Sequence, residues 1–485
     1  MIDMTNYMMN NVNNLNVENE RISYQLSTGK ALENGSDDSV LYARILDIED
    51  DMRVYGGLKT QIEKTTAQNN VSDSTMDEIK SSIDLIKLDL MKTLNSGMDE
   101  SSILAVATNI EGLRENLITL VNTQSNGEYI FAGSDTTVQT FAKDDSFKLN
   151  GKVDFGGDAI LRKVAVEPNT YRERGITALD IMMYNADTAG AGKELKFTEQ
   201  ERIIDENSKE WKITDTLTVG GTFEAGDKFN VTVAGATVSV DAITDNATTA
   251  KAIKDAINNN TTMSKTVIAT LDASSNIIIS AKTGGNTFIT TVETTQSDET
   301  AADTQTFGIA NHTKIRQFDK NGVLENPLVE MTVASDNKTP ATYTTEAIAS
   351  GSTRFLEAKH NFFDDLNIMI NTIRGYSTNE DGTKGNELNS TARDTLLRSS
   401  LENTSNQYNA SNIGHAELGG RNNIFNISLE RINAKTVHFN ILMQDVGSAD
   451  MSKLAMESKS LEMTYQALYS TVSKMHSLSL LNYLK

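Results

Sequence analysis

The chain has 485 residues, of which 38% are hydrophobic and 23% are charged, and it contains no cysteine. This length accommodates about three domains with ordered cores. A formal net charge of −22 argues against binding to nucleic acids or anionic membranes, because both need clustered basic side chains. The lack of cysteine excludes disulfides, thiolate metal sites and cysteine nucleophiles.

The sequence gives no sign of membrane insertion or of a cleaved export signal. No apolar run reaches the roughly 18 residues that a membrane-spanning helix needs. Residues 1–19 are polar and acidic, without the basic start and short apolar core of a secretory signal. We therefore expect no membrane insertion, and we expect any export to use a route without a cleaved signal peptide.

The N-terminal part of the chain has the apolar spacing of long helices. Residues 1–26 form a heptad seam with two rows, one of Met1, Met8, Leu15 and Ile22 and one of Thr5, Val12, Asn19 and Leu26. Spacings of three and four predict further helices over 41–55, 76–90 and 106–120. Gly56 and Gly57 are predicted to interrupt the helical spacing after the stretch over 41–55.

The centre of the chain differs in composition and periodicity. It contains every proline, Pro168, Pro327 and Pro340, and the single tryptophan, Trp211. Apolar and polar residues alternate over 212–241 and glycines separate the runs, which predicts strands. A short helix is predicted over 250–257 and a return to strand over 267–279. The centre is therefore interpreted as a β-rich insert.

The C-terminal part returns to helical spacing. Helices are predicted over 362–373, 397–408 and 425–446. A final helical stretch has Leu454, Leu461, Leu468 and Met475 seven residues apart. The predicted fold is mixed, with α-helical coiled-coil or bundle domains formed from both chain ends and a β-rich (α+β) inserted outer domain. The predicted domains are a terminal coiled coil (1–40 with 445–485), a helical bundle (41–136 with 352–444) and the insert (137–351), as one or two subdomains.

The seams at the two chain ends predict an assembly interface. A narrow apolar stripe on an isolated helix gains little until a partner covers it. We expect the terminal helices to pair antiparallel with each other and with copies from neighbouring subunits; an ordinary intramolecular coiled coil remains the alternative. The expected interface residues are Met8, Leu15, Ile22, Leu26, Leu454, Leu461, Leu468, Val472, Met475 and Leu478.

Residue patterns for catalysis and metal binding are weak. The histidines are His312, His360, His415, His438 and His476, and no two have the i, i+4 spacing of a helical metal pair. His360 and Asp364 are predicted to share one helix face and to form a surface hydrogen bond. Residues 190–194 (GAGKE) lack the spacing and the hydroxyl residue of a phosphate loop. The sequence predicts no enzyme activity, no metal and no cofactor.

Residues 26–30 (LSTGK) and 34–38 (NGSDD) resemble the N-terminal turn of the flagellin superfamily, where Gly29 would end one helix and Ser36 or Asp37 would cap the next. Residues 419–423 (GGRNN) are similar to a turn-like segment before the last helices, and 445–468 and 478–484 are similar to the family's C-terminal end. Residues 126–134 (NGEYIFAGS) resemble a segment of the hook-associated members, not of filament flagellins.

The resemblance implies a structural subunit of the bacterial flagellum that adapts the hook to the filament. It implies a homo-oligomeric ring assembled on hook-associated protein 1 and supporting flagellin polymerisation. It also implies an export chaperone covering the C-terminal helix, passage through the flagellar export apparatus and an extracellular location. A filament flagellin is the first alternative, and a surface adhesin or an enzyme whose insert carries the activity is the second.

Overall fold

The computed structural model describes residues 2–94, 98–143, 152–223, 226–242, 245–282, 287–296, 306–319, 321–338, 340–379 and 382–483. Its helices are α1 (Ile2–Thr28), α2 (Ser39–Leu94), α3 (Glu100–Val121), α4 (Ala178–Met182), α5 (Asn246–Asn259), α6 (Met263–Thr266), α7 (Phe362–Ile373), α8 (Ser390–Gly447) and α9 (Met451–Tyr483). The longest helices come from the two ends of the chain, as the apolar spacing predicts.

The strands lie mainly between α3 and α7. They are β1 (Gln124–Ser125), β2 (Glu128–Tyr129), β3 (Phe141–Lys143), β4 (Val153–Phe155), β5 (Lys163–Glu167), β6 (Thr170–Glu173), β7 (Met183–Ala189), β8 (Lys196–Thr198), β9 (Arg202–Asp205), β10 (Glu210–Gly220), β11 (Lys228–Val233), β12 (Ala236–Asp241), β13 (Val267–Leu271), β14 (Ile277–Ala281), β15 (Thr290–Thr295), β16 (Thr306–Phe318), β17 (Glu330–Ser335), β18 (Thr342–Thr345), β19 (Leu356–Asn361), β20 (Tyr376–Thr378) and β21 (Lys384–Glu387). The predicted fold class, helical ends with a β-rich insert, is confirmed.

Two glycine pairs do not break their helices, contrary to prediction. Gly56–Gly57 lies inside α2, and Gly419–Gly420 lies inside α8, where a turn was expected. A glycine inside a helix costs only about 1 kcal/mol relative to alanine. Buried residues on either side, such as Tyr55 and Leu58 in α2 and Leu418 and Phe425 in α8, give packing that offsets this cost.

The chain divides into two compact units. Unit 1 comprises Met1–Thr66, Val164–Arg172 and Asn423–Lys485. One of its hydrophobic clusters contains Ile22, Leu454 and Leu461. The other contains Tyr55, Leu58, Ile62, Val164, Val166, Phe425 and Ile432. The unit thus joins the extreme ends of the chain around small apolar clusters.

Unit 2 comprises Ala67–Lys163 and Glu173–Asn422. Its largest hydrophobic cluster is built from α3, α7 and the unit's own parts of α2 and α8. Ile79 and Ile83 of α2, Ile110 of α3 and Phe363 of α7 are fully buried in it. The ring of Phe363 packs edge-on against that of Phe141, with centroids 4.9 Å apart. These helices form a well-filled core because their apolar faces meet on one side.

The main sheet of unit 2 has the strand order β7-β19-β9-β10-β16-β17-β18-β8, and β14 joins it through β10. The long antiparallel pair β10 and β16 runs between two hydrophobic clusters. At one end, Trp211 and Ile315 lie in the first cluster. At the other end, Leu217 and Phe229 lie in the second, beneath α5 and the sheet β12-β11-β15.

The predicted strands and helix of the insert are confirmed in outline. The predicted helix over 250–257 is part of α5, which Asp245 caps by accepting hydrogen bonds from the amides of Ala247 and Thr248. The predicted strand over 267–279 is two strands, β13 and β14, that form a hairpin. An Asx turn at Asp272, whose carboxylate accepts from the Ser274 and Asn276 amides, separates them.

Candidate assembly surface

Helices α1 and α9 form an antiparallel pair. Tyr465 donates a hydrogen bond from its hydroxyl to Asn16 at 2.7 Å, and Arg21 pairs with Glu457 at 3.0 Å. The amide of Ala449 donates to the Gly29 carbonyl at 2.9 Å. Partners on α9 descend in number as those on α1 ascend, so the helices run in opposite directions. This is the pairing that the two terminal seams predict.

The turns at the base of this pair have identifiable local causes. Gly29 ends α1 with a positive φ of 70°, as predicted, because glycine adopts this conformation without a steric penalty. The Ala31 amide then donates to the Gly447 carbonyl at 2.8 Å. Asp450 caps α9 by accepting from the Ser452 and Lys453 amides.

The cap of α2 differs from the prediction. Asp38 accepts from the Val40 and Leu41 amides, so it takes the capping position expected of Ser36 or Asp37. Asp37 instead accepts from the Asn34 amide inside the preceding turn. The sequence contains several good capping residues in a row, and only the point where the helix begins selects one of them.

The predicted interface residues divide by exposure. Ile22, Leu454 and Leu461 are buried between the paired helices. Leu15, Leu468 and Val472 are half-buried, and Leu26 is exposed. Met8, Met475 and Leu478 lie on the same two helices, but their side chains are outside the part of the chain that the structure describes. Among the members whose side chains the structure describes, the helix pair therefore fully buries Ile22, Leu454 and Leu461.

A second set of apolar side chains on these helices was missed from the sequence. Tyr7 and Tyr469 are each 69% exposed, and Met456 is 68% exposed. The other exposed members are Met9, Val17 and Met463. Met456 and Met463 are seven residues apart, and this heptad spacing is the sequence signal that could have identified them. Leu454 and Leu461, which are buried on the same helix, have the same spacing, so the sequence does not tell the buried residues from the exposed ones.

A groove of mixed polar and apolar lining lies beside the turn between α1 and α2. Its volume is about 810 Å³, and its lining includes Tyr42 and Leu46 of α2 with Val437 and Ile441 of α8. All four of these side chains are exposed. Soluble monomers seldom expose neighbouring large apolar side chains without a binding role. Unit 1 therefore carries unsatisfied apolar surface on its helices α2 and α8 as well as on its terminal helix pair.

Ion pairs add polar contacts at the edge of the helix pair. Arg21 contacts Glu18 on its own helix and Glu457 on α9. The hydrogen bond from Arg21 lowers the pKa of Glu18, and the same contact with Glu18 raises the pKa of Arg21. Because these side chains are about one-third exposed or more, the pairs set register and direction more than stability.

The histidine and carboxylate expected on one helix are placed differently. His360 is in strand β19, not in a helix, and Asp364 is in α7. The imidazole of His360 is within 3.4 Å of Asp365 and 3.7 Å of Glu201, in the interior. The prediction of a surface hydrogen bond between His360 and Asp364 is therefore wrong, because the strand-to-helix junction at Asn361 was not recognised.

His312 forms a second buried polar cluster at the bulge in the β10–β16 pair. Its Nδ1 lies 3.1 Å from Glu199, its Nε2 lies 3.5 Å from Asp215, and Tyr343 donates to Glu199 at 2.6 Å. Although burial opposes it, the hydrogen bond to Glu199 and the charge of Asp215 raise the pKa of His312. The cluster links strands β10, β16 and β18 through ion pairs of His312 and the hydrogen bond of Tyr343.

The remaining sequence candidates form ordinary structure. Lys193 donates from its amide to the Gly190 carbonyl, so residues 190–194 form a turn after β7. In the helices that the structure describes, no segment is long and apolar enough to cross a membrane.

Comparison with known proteins connects this architecture to flagella. Residues 2–136 match the family model of the bacterial flagellin N-terminal helical region. Flagellar hook-associated protein 3 of Escherichia coli is 26% identical over 157 residues, covering 32% of this chain and 48% of that protein. The protein of the same name from Salmonella typhimurium is 25% identical over 134 residues, covering 27% and 42%. The chain thus spans about half the length of the curated relatives it matches.

Solved structures are similar at lower identity. Flagellar hook-associated protein-3 from Legionella pneumophila is 12% identical, with coverage of 84% of this chain and 98% of that one and a TM-score of 0.41. FlgL from Xanthomonas campestris is 12% identical, with coverage of 82% and 98% and a TM-score of 0.39. The resemblance to the flagellin superfamily, and to its hook-associated protein 3 members, is confirmed by the sequence matches.

Proposed function

We propose that this protein is a structural subunit of the bacterial flagellum that acts as the adaptor between hook and filament. The observation that carries the proposal is the terminal helix pair, which buries a thin seam and exposes apolar side chains on its outer faces. The match of residues 2–136 to the flagellin N-terminal helical region supports placing this pair in a flagellar polymer. The curated relatives named hook-associated protein 3 favour the junction over the filament.

The assembly interface is proposed to use both the predicted seam residues and the second, exposed set of apolar side chains on α1 and α9. Ile22, Leu454 and Leu461 would hold the helix pair together within one subunit. The other predicted residues would contact neighbouring subunits: Met8, Leu15, Leu26, Leu468, Val472, Met475 and Leu478. The exposed apolar side chains that include Tyr7, Val17, Met456 and Tyr469 join them. Burying an exposed apolar side chain of this size contributes about 1.5–3 kcal/mol.

We also propose a domain for each part of the chain. Residues 1–40 with 445–485 would form the inner coiled coil, and residues 41–136 with 352–444 the surrounding bundle. Residues 137–351 would form the outer domain. A subunit of this kind acts mechanically, so we propose no catalytic step for it.

The proposed partners follow from the same assignment. The subunit would form a homo-oligomeric ring on hook-associated protein 1 and would support the addition of flagellin. Before assembly, an export chaperone would cover the C-terminal helix, whose exposed Met456, Met463 and Tyr469 would otherwise promote premature association. The subunit would leave through the flagellar export apparatus without cleavage and act outside the cell.

Immunogold labelling of detached flagella tests the proposal. Label in a band at the boundary of hook and filament is the expected result. Label along the whole filament would instead identify a filament flagellin, and label on the cell surface would identify an adhesin. Either pattern contradicts the junction assignment, and a strain that lacks the gene controls for antibody specificity.

A further inference from the structure

Three potential metal ligands from two helices meet within unit 2. Asp73 and Asp77 lie one turn apart on α2, and His415 lies on α8. Asp73 Oδ1 is 2.8 Å from His415 Nε2, and Asp77 Oδ1 is 3.6 Å from His415 Nδ1. One donor atom from each residue lies within 4.8 Å of the others. A small cation that bridges three ligands at 2.0–2.2 Å needs donors about this close.

Both helices are held firmly where they carry these ligands. On α2, the neighbouring Ser72 and Met76 are buried. On α8, Ser411 donates from its hydroxyl to the Ile181 carbonyl at 2.8 Å. A Cβ at Gly414 would lie 2.8 Å from Ile176 Cδ1, so the backbone beside His415 packs closely on the segment before α4. The three ligands are therefore positioned by the core and not by loops.

The cluster combines access with suitable donor chemistry. The side chain of His415 is 17% exposed and that of Asp73 is 46% exposed, so an ion reaches them from solvent. A neutral imidazole suits Zn²⁺ and similar transition metals, and carboxylate oxygens complete their coordination. We propose that Asp73, Asp77 and His415 bind one first-row divalent cation, such as Zn²⁺, which links α2 to α8. Water would fill the remaining coordination positions.

Two existing interactions compete with the metal. Lys80 Nζ lies 3.1 Å from Asp77 Oδ1, one turn along α2. Partly exposed pairs of this kind contribute little to stability, so a metal ion can displace Lys80 from Asp77. The contacts of His415 with Asp73 and Asp77 are the second interaction, because the ring nitrogen that binds the metal gives up its contact with a carboxylate.

No pair of histidines with helical spacing marks this site in the sequence. Here the i, i+4 pair consists of aspartates, and the histidine comes from a helix more than 300 residues later, as the 342-residue separation of Asp73 and His415 shows. Aspartates with this spacing are common on helix surfaces. Only tertiary packing adds the third ligand.

Calorimetric titration of the full, metal-stripped chain with Zn²⁺ tests the site. We expect one saturable site, and we expect Asp73→Asn with Asp77→Asn, or His415→Gln alone, to weaken Zn²⁺ binding by at least about tenfold. Asp47→Asn with Asp51→Asn is the matched control, because it removes two exposed carboxylates with the same spacing from the same helix. His438→Gln, an exposed histidine on α8, is the control for the imidazole.

Several results would overturn the proposal. These are no saturable binding, undiminished Zn²⁺ affinity in His415→Gln, or equal losses in the control variants. Circular dichroism checks that each variant is folded. X-ray absorption of the Zn²⁺-loaded unmodified chain needs no variant: a shell containing one imidazole nitrogen and carboxylate oxygens supports the site, and an all-oxygen shell rejects it.

Discussion

The terminal helix pair and the β-rich insert handle their apolar side chains differently. The cluster between α1 and α9 is centred on three buried residues, and large apolar side chains on the same helices stay exposed. In the insert, Trp211 and Phe229 are almost fully buried in clusters that draw on several strands. The insert buries its main apolar clusters against its own strands and helix, whereas the helix pair makes its backbone hydrogen bonds but covers only part of its apolar surface.

This difference shows which region depends on other molecules. A helix makes its hydrogen bonds internally, so it can form with one face uncovered. A sheet needs neighbouring strands, and in the insert the apolar side chains between the strands and α5 are buried by the chain itself. The helix pair is therefore the region whose stability should respond to assembly.

The largest expected effect comes from a charge on the half-covered seam. Leu468→Asp should abolish incorporation into the flagellum, because burying an unpaired carboxylate at a subunit interface costs several kcal/mol. Fractionation of sheared flagella with immunoblotting measures incorporation. Ser460→Asp adds the same charge at an exposed position of α9 and should assemble. Normal flagella containing the Leu468→Asp protein would contradict the proposed interface.

Truncation of the single tryptophan should destabilise the insert strongly. Trp211 is 1% exposed and donates from Nε1 to Asp205 at 3.0 Å, and the Arg354 guanidinium lies 4.9 Å from its ring centroid. Trp211→Ala should lower the free energy of unfolding by about 3–5 kcal/mol. Urea unfolding followed by near-UV circular dichroism measures this. Phe355→Ala, at an exposed position, should change it little, and equal losses would show that the insert core is wrongly placed.

A smaller loss is expected inside the helix pair. Ile22→Ala should lower the stability of the lone subunit by about 2 kcal/mol, the low end for such truncations because its cluster is thin. Val17→Ala, at a position 65% exposed, should leave the lone subunit unchanged but weaken assembly. Thermal unfolding of monomers and sedimentation of polymers separate the two effects. Comparable monomer losses from both variants would mean that the helices pair through the other face.

The smallest expected effect is a pH dependence that comes from Asp364 on α7, outside the insert. Burial raises the pKa of Asp364 to about 6 from 3.8, against the opposing charges of Lys152 and His360. The folded state therefore binds this proton more tightly than the unfolded state does. The protonated carboxyl group stabilises the fold below pH 4, and this stabilisation is lost as pH rises through 6. Asp364→Asn should remove roughly 1–2 kcal/mol of this loss, less than the full shift implies because the side chain keeps some solvent contact.

Chemical unfolding at several pH values between 4 and 8 measures that dependence. The exposed carboxylate of Asp241 provides the control, since Asp241→Asn should leave the slope unchanged. An unaltered slope in Asp364→Asn would show that this carboxylate is not protonated in the folded protein at mildly acidic pH.

The amino-acid sequence by itself determined the periodic features of this protein. Heptad spacing predicted the helices at both ends, and alternation with glycines predicted the β-rich centre, because these signals come from residues adjacent along the chain. Gly29 was correctly predicted to end α1, since a positive φ there favours glycine.

Only the tertiary structure decided which face of each helix is covered and which distant side chains meet. Met456 and Leu454 lie two positions apart on α9, yet one is exposed and the other buried, because α1 approaches from one side only. The joining of Asp73 and Asp77 to His415 likewise depends on how α2 and α8 pack. Periodicity can be identified in a short segment of sequence. A long-range contact joins residues that are far apart in the chain, so it is decided only when the whole chain packs.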